Sequence, residues 1–273
     1  MNIKLIALDM DGTLLSSQGT LSNKNKEIIN EAMKRGINIV IATGRVLSAL
    51  PKDVIAVSGI EYAVTSNGAR VVRLEDNHSL YTNLISEEKI NDIKEFVFAD
   101  DVFLEIFFDG DVFVDKYCLE KVDSYNLPKW YSDYVLKTRT PVEDLKETLE
   151  ANLGAMENIN INFSSMERRS EFLEKLKKIE GITITTSLPH NIEIGGATTS
   201  KADGVTQLCN LLSLKSDNVM AFGDSQNDGA MLSFAGLAVA MDNASKEVKH
   251  LADYITKSND EDGVAYAIEK FIL

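Results

Sequence analysis

The sequence predicts an α/β fold in which a parallel-sheet core is interrupted by an inserted α+β segment. Three observations predict it: short apolar runs that end in polar residues, helix signals between those runs, and a middle stretch with hairpin signals. A chain of 273 residues also exceeds the usual length of one domain. We therefore expect two domains, a core formed by residues 1–83 and 191–273 and an insert formed by residues 84–190.

The first part of the core has the pattern of a strand, a helix and a strand. Residues 3–8 form an apolar run typical of a strand buried on both faces. Ser22 is a suitable N-cap for the helix that follows, and Gly36 stands where a left-handed helix end is expected. Residues 37–42 and 62–65 are further strands. Because parallel strands need a crossover between them, this order predicts a parallel sheet.

The last part of the chain repeats this pattern. Ser200 and Asp203 resemble a capping box at the start of a helix. The segments that follow are predicted as a strand at 219–222, a helix at 229–234, a strand at 237–240, and helices at 245–252 and 262–271.

The middle of the chain differs because it carries the signal of an antiparallel hairpin. Asp109-Gly110 is a turn dipeptide between two apolar runs, residues 102–108 and 111–115. Alternating segments follow, with helices predicted at 141–152 and 166–179 and strands at 159–163 and 182–186. These features predict a separate α+β domain.

Composition and charge exclude several classes of function. The chain has 28 basic and 42 acidic residues, a net charge of -14, so neither nucleic acid nor an anionic membrane is an expected partner. Two cysteines, Cys118 and Cys209, are too few for a disulfide framework. The apolar run at the start reaches Asp9 too early for a signal peptide, and no run is long enough to span a membrane. We expect a cytoplasmic protein, and its oligomeric state stays open.

Three polar motifs follow directly after predicted strands. They are Asp9-Met10-Asp11-Gly12-Thr13, Thr43-Gly44-Arg45, and Gly223-Asp224-Ser225-Gln226-Asn227-Asp228. In an open parallel sheet, ligands bind outside the carboxyl ends of the strands, so these distant motifs are expected to meet at one edge.

Such a meeting would bring four carboxylates together, those of Asp9, Asp11, Asp224 and Asp228. Like charges this close repel and require protons or a cation. Oxygen ligands with phosphate nearby favour Mg²⁺, and the absence of His and Cys from the motifs disfavours zinc.

The spacing of the first two aspartates fits phosphoryl transfer. Asp9 is predicted to attack phosphorus, and Asp11 to protonate the leaving oxygen and later activate water. Thr43, Gly44 and Lys201 would lie near the phosphate, where positive charge stabilises the transferring group.

These motifs and Lys201 resemble, in order and spacing, the four motifs of the haloacid dehalogenase superfamily. The insert resembles the α/β cap of its Cof-type phosphatase branch. The resemblance covers essentially the whole chain, and it implies a Rossmann-like core with an inserted cap.

The resemblance also implies roles for individual residues. Asp9 would accept the phosphoryl group, Asp11 would be the general acid and base, and the backbone amides of Met10 and Asp11 would line the phosphate. Mg²⁺ would be held by the Asp9 and Asp224 carboxylates and the Asp11 backbone carbonyl. The matches to the phosphate-binding and fourth-motif positions are Thr43, Gly44, Arg45, Lys201, Asn227 and Asp228, the last with a role near the metal.

The sequence thus predicts an Mg²⁺-dependent phosphatase whose partner is a small phosphorylated metabolite, a sugar phosphate in particular. A phosphomutase of the same superfamily is the alternative. A phosphorylatable regulator is a further alternative, disfavoured by Asp11 and by the size of the insert, because a switch benefits from a long-lived phosphoryl group.

Overall fold

The computed structural model describes residues 2–57 and 59–273, which form two compact units. The core unit comprises residues up to 45, residues 50–82 apart from 58, and residues 200–273; the cap unit comprises residues 46–49 and 83–199. The cap unit therefore extends beyond the predicted boundary at 190. The reason is that the strand after His190 pairs within the cap sheet.

The strands are short, and several of them are buried along their whole length. In chain order they are β1 (Leu5–Leu8), β2 (Asn38–Ala42), β3 (Tyr62–Thr65), β4 (Arg70–Arg73), β5 (His78–Thr82), β6 (Val102–Phe108), β7 (Asp111–Asp115), β8 (Thr140–Val142), β9 (Met156–Phe163), β10 (Thr183–Thr185), β11 (Asn191–Gly195), β12 (Val219–Gly223), β13 (Leu237–Ala240) and β14 (Tyr254–Ile255).

The α-helices lie between these strands in the chain, and the last helix follows the last strand. They are α1 (Asn23–Lys34), α2 (Lys52–Ile55), α3 (Glu87–Val97), α4 (Lys116–Glu120), α5 (Lys129–Thr138), α6 (Leu145–Ala151), α7 (Met166–Leu176), α8 (Lys201–Leu211), α9 (Gly229–Phe234), α10 (Lys246–Lys249) and α11 (Gly263–Phe271). Within the described residues, no helix is both long and apolar enough to cross a membrane.

The core unit contains one sheet with the order β14-β13-β12-β1-β2-β3-β4-β5. The strands from β14 to β3 are parallel, and β4 and β5 add an antiparallel edge. Strands β2 to β5, which follow β1 in the chain, lie on one side of β1, and β12 to β14 lie on its other side. This reversal makes the gap between β1 and β12 a topological switch point, where ligands bind in open α/β sheets.

The local signals in the core sequence act as expected. The Ser22 hydroxyl accepts a hydrogen bond from the Asn25 amide at the start of α1, and the Ser200 hydroxyl accepts one from the Asp203 amide at the start of α8. Gly36 has the left-handed backbone, with φ +78°, that ends α1. In β1, Leu5 and Ala7 pack in the core cluster with α8, while Ile6 and Leu8 on the opposite face are equally buried.

The cap unit is built on a second sheet of order β10-β11-β9-β6-β7-β8, with antiparallel pairs except for β7 and β8. The alternation in β9 gives this sheet two different faces. Ile159, Ile161 and Phe163 belong to the apolar cluster that includes residues of α3, α6 and α7. Asn160 and Asn162 lie on the other face and both donate to the buried Glu105 carboxylate.

The helix predicted at 141–152 was wrong at its start, and the strands at one edge of the core sheet were not predicted. Pro141 lies in strand β8 and not in a helix; α6 begins only at Leu145, after Asp144 caps it. The edge strands β4 and β5 were not predicted. Their sequences carry exposed and charged side chains, so neither reads as a buried apolar run.

Candidate active site

The predicted site residues of the core unit converge at the carboxyl ends of β1, β2 and β12. Leu8 and Phe222 are partners in adjacent strands, so the chain leaves both strands at the same level. Asp9 follows β1, and its amide donates to the Phe222 carbonyl at 3.2 Å. Asp224 follows β12. The first and fourth motifs are therefore neighbours because their strands are paired side by side.

Lys201 lies at the centre of this cluster. Its Nζ contacts Asp9 Oδ1 and Asp228 Oδ1, each at 2.6 Å. The Lys201 side chain is only 1% exposed, so the ammonium group is withdrawn from water and must be paired. Lys201 enters from the first turn of α8, which its N-cap Ser200 fixes.

Carboxyl groups of Asp9, Asp224 and Asp228 provide oxygens that all lie within 4.8 Å of one another. One ammonium group does not balance three carboxylates. Burial, followed by repulsion from Asp228, raises the pKa of Asp9 well above its usual range, against the opposing attraction of Lys201. Burial and then Asp228 also raise the pKa of Asp224. For Lys201, burial acts to lower the pKa, but attraction to Asp228 and Asp9 outweighs it and raises the pKa.

This excess of negative charge fits a divalent cation. The donors are all carboxylate oxygens, which hard cations such as Mg²⁺ prefer. Asp9, Asp224 and Asp228 are the residues whose carboxylates the structure brings together, and they could hold such a cation.

Asp224 and Asp228 are held in place by the loop that carries them. Asp224 Oδ1 accepts a hydrogen bond from the Thr13 hydroxyl, and Asp224 Oδ2 accepts one from the Ser225 hydroxyl, both at 2.9 Å. Asp228 Oδ2 accepts the backbone amides of Asp224 and Ser225. Gly12 is required here, because a Cβ at this position, with φ +84°, would stand 2.6 Å from Asp224 Oδ2.

Asp11 is placed differently from the other three aspartates. Its side chain is 55% exposed, and its two carboxylate oxygens accept hydrogen bonds from Nη2 and Nε of Arg45, at 2.6 and 2.8 Å. The expectation of four clustered carboxylates is therefore corrected to three, because Arg45 provides Asp11 with its own counter-charge. The predicted metal contact through the Asp11 backbone carbonyl stays a prediction.

The residues of the second and fourth motifs that are predicted to contact phosphate lie beside the turn that follows β3. The Thr43 carbonyl accepts the Asn67 amide at 3.0 Å, and Gly44 lies against the Asn67 side chain. Asn227 donates through Nδ2 to Asn67 Oδ1 at 3.0 Å. Met10 is fully buried, and its carbonyl accepts the Thr13 and Leu15 amides. Contact of these residues with phosphate stays a prediction.

The sequence reasoning missed two residues that bind this cluster together. Asn67 lies just beyond the predicted strand 62–65 and is given no role there, although Asn followed by Gly is a signal for left-handed backbone. Asn243 donates to the Gly12 carbonyl at 2.7 Å and accepts the Asn259 amide. No pattern in the sequence predicts that Asn243 reaches the loop after β1, since the two are 231 residues apart.

Comparison with known families and structures identifies this arrangement. A family model described as haloacid dehalogenase-like hydrolase matches residues 6–268. The chain belongs to the haloacid dehalogenase-like hydrolases. The predicted family and α/β fold are thus confirmed.

Curated relatives of this hydrolase are named as phosphatases. The chain is 32% identical over 279 residues to a 5-amino-6-(5-phospho-D-ribitylamino)uracil phosphatase, YcsE, of Bacillus subtilis, covering 100% of this chain and 97% of the relative. It is 30% identical over 282 residues to a putative phosphatase of Streptococcus pyogenes, with 100% of both chains covered.

Solved structures agree with the family. A haloacid dehalogenase-like hydrolase from B. subtilis has a TM-score of 0.86 at 27% identity, covering 99% of this chain and 100% of the other. This hydrolase is accordingly a phosphatase, as predicted, which excludes the alternative of a non-catalytic regulator.

Proposed function

We propose that this phosphatase hydrolyses a small phosphomonoester of the sugar-phosphate class through a phosphoaspartate formed on Asp9, with Mg²⁺ as cofactor. The observation that carries the proposal is the grouping of the Asp9, Asp224 and Asp228 carboxylates around the buried Lys201 ammonium group.

In the first step, a carboxylate oxygen of Asp9 forms a bond to phosphorus as the bond to the leaving oxygen breaks. Lys201 holds Oδ1 of Asp9 at 2.6 Å, which orients the second oxygen of the same carboxylate for attack. Protonated Asp11 gives its proton to the leaving oxygen. For this, one of the two contacts between Asp11 and Arg45 is exchanged for the substrate.

In the second step, Asp11 takes a proton from a water molecule whose oxygen attacks phosphorus, and the bond from phosphorus to Asp9 breaks. Asp9 and Asp11 thus return to their starting states and inorganic phosphate leaves. Asp9, Asp224 and Asp228 would hold Mg²⁺, which when bound neutralises charge on the transferring phosphoryl group.

The substrate class rests on the relatives and on the sequence. The B. subtilis relative is named for a substrate that carries its phosphate on a ribityl chain, which is chemically close to a sugar phosphate. A relative of Methanobrevibacter smithii at 28% identity is named a phosphoglycolate phosphatase. We place the phosphorylated polyol chain first because the identity to its phosphatase is higher, 32% against 28%, and because a polyol phosphate is chemically close to the expected sugar phosphate.

The test is release of inorganic phosphate from a panel of sugar phosphates, 5-amino-6-(5-phospho-D-ribitylamino)uracil, phosphoglycolate and an aryl phosphate. We expect turnover with Mg²⁺, a decrease of at least about a hundredfold after EDTA treatment, and recovery when Mg²⁺ is restored. The decrease is expected because a bound cation stabilises the charge of the transition state by several kcal/mol. Unchanged turnover in EDTA would reject the metal. Isomerised sugar phosphate without free phosphate would indicate a mutase.

A further inference from the structure

We infer that the Ser66–Gly68 turn positions the phosphate-binding side of the active site and that Asn67 acts as a positioning residue through Asn227. The inference rests on the proposed function and adds to it a fifth segment, outside the four motifs. The turn and Asn227 both belong to the core unit.

The turn has an uncommon backbone conformation. Ser66, Asn67 and Gly68 all have left-handed φ values, +49°, +54° and +100°. Residues other than glycine, asparagine and aspartate rarely adopt this conformation, so Ser66 in particular is strained, and such strain concentrates at functional sites. Here it aims two successive amides at the second motif: Ser66 donates to the Arg45 carbonyl at 2.9 Å and Asn67 to the Thr43 carbonyl at 3.0 Å.

The same turn also fixes the start of α8, which carries Lys201. A Cβ at Gly68 would stand 1.9 Å from the Ser200 carbonyl oxygen and 3.2 Å from the Lys201 amide nitrogen. Only glycine permits this approach. On α8, Gly204 lies against Gly68 and against the side chain of Val64 in β3. The distance between the Ser66–Gly68 turn and Lys201 is therefore set by contacts of the Gly68 backbone with the backbone of Ser200 and Lys201, which leave little freedom.

The Asn67 side chain extends this control to the fourth motif. Its Oδ1 accepts one hydrogen from Asn227 Nδ2 at 3.0 Å. An amide nitrogen carries two hydrogens, so this contact leaves the second one for a phosphate oxygen. Among the described residues, Asn227 Oδ1 is buried and has no hydrogen-bond partner. If the amide turned over, this oxygen would face the phosphate and repel it.

Asn67 therefore does two things that are separable by mutation. Its backbone holds the second motif, and its side chain selects the orientation of the Asn227 amide. Glycine adopts the same left-handed conformation without a side chain, so Asn67→Gly removes the second role and keeps the first. Asn77→Gly is the matched control, because Asn77 is also left-handed, with φ +57°, lies in the same unit and is exposed.

The experiment compares the wild type, N67G, N77G, N227A and the N67G/N227A double variant. KM and kcat are measured with the best substrate of the panel, and the inhibition constant of inorganic phosphate is measured with the same proteins. For N67G we expect KM and the phosphate inhibition constant to rise together by about tenfold, the effect of losing a charge-assisted hydrogen bond, while kcat changes less than about threefold. N77G should match the wild type.

The double variant separates positioning from a purely structural role. If Asn67 acts through Asn227, N67G causes no further loss in the N227A background. Multiplying effects in the double variant, or an N67G enzyme with unchanged KM and phosphate inhibition, would overturn the inference. A wild type that neither turns over phosphomonoesters nor binds phosphate would instead reject the proposed function itself.

Discussion

Replacing Asp9 with Asn is expected to abolish turnover while leaving the protein folded. The amide is a poor nucleophile, and loss of a catalytic nucleophile costs about 10⁴- to 10⁶-fold in kcat. The fold should tolerate the change, because burial and neighbouring carboxylates already raise the pKa of Asp9 and so penalise its charge. We expect the phosphate-release assay to fall to background and the thermal unfolding midpoint to stay close to that of the wild type.

The matched control is Asp242→Asn, which neutralises an exposed aspartate of the same unit that pairs with Lys249. It should keep full activity. If the Asp9→Asn variant kept more than a few per cent of the wild-type turnover, Asp9 would not be the nucleophile. Unfolding of the variant would show that Asp9 also stabilises the core, and the folded fraction would then have to be assayed.

Replacing Lys201 with Met is expected to damage both stability and activity. The substitution leaves Asp9 and Asp228 buried together without the ammonium group that contacts each at 2.6 Å. Removing one partner of a buried ion pair costs about 3–5 kcal/mol in the free energy of unfolding. Loss of the positive charge beside the phosphoryl group should also lower kcat by about 10²- to 10³-fold. Chemical denaturation in metal-free buffer and steady-state kinetics measure the two effects.

Lys249→Met is the control for this variant. Lys249 pairs with Asp242 at 3.2 Å on the surface, with side chains 27% and 64% exposed, and such pairs contribute about 0–1 kcal/mol. A Lys201→Met protein as stable as the Lys249→Met protein would show that the three carboxylates do not depend on the lysine for neutralisation.

The parts of the fold that the sequence predicts are those where a single local cause decides the outcome. Leu5–Leu8 is apolar throughout and forms a strand covered on both faces. Ser22 and Ser200 cap helices because their hydroxyl groups reach nearby amides. Asp109 and Gly110 both take left-handed backbone and turn the hairpin. Convergence of the motifs follows in turn, because β1 and β12 are paired in a parallel sheet.

What the sequence does not predict depends on contacts between distant residues. The pairing of Asp11 with Arg45 requires knowledge of where two loops meet, and it removes Asp11 from the carboxylate cluster. The contact between Asn67 and Asn227 spans 160 residues. The cap boundary shifts because residues 191–195 pair with β9 and β10 in the cap sheet, and their sequence alone does not show which sheet they join.

The most direct test of the central claim is to find the phosphoryl group on Asp9. The Asp11→Ala variant is mixed with an aryl phosphate, whose leaving group needs no proton, in the presence of Mg²⁺. Without Asp11 to activate water, the phosphoenzyme should accumulate. The account predicts a burst of one phenol per enzyme and, after rapid quenching, a phosphorylated peptide in which the modified residue is Asp9. Absence of the burst together with an unmodified Asp9 peptide, or phosphate on another residue, would contradict it.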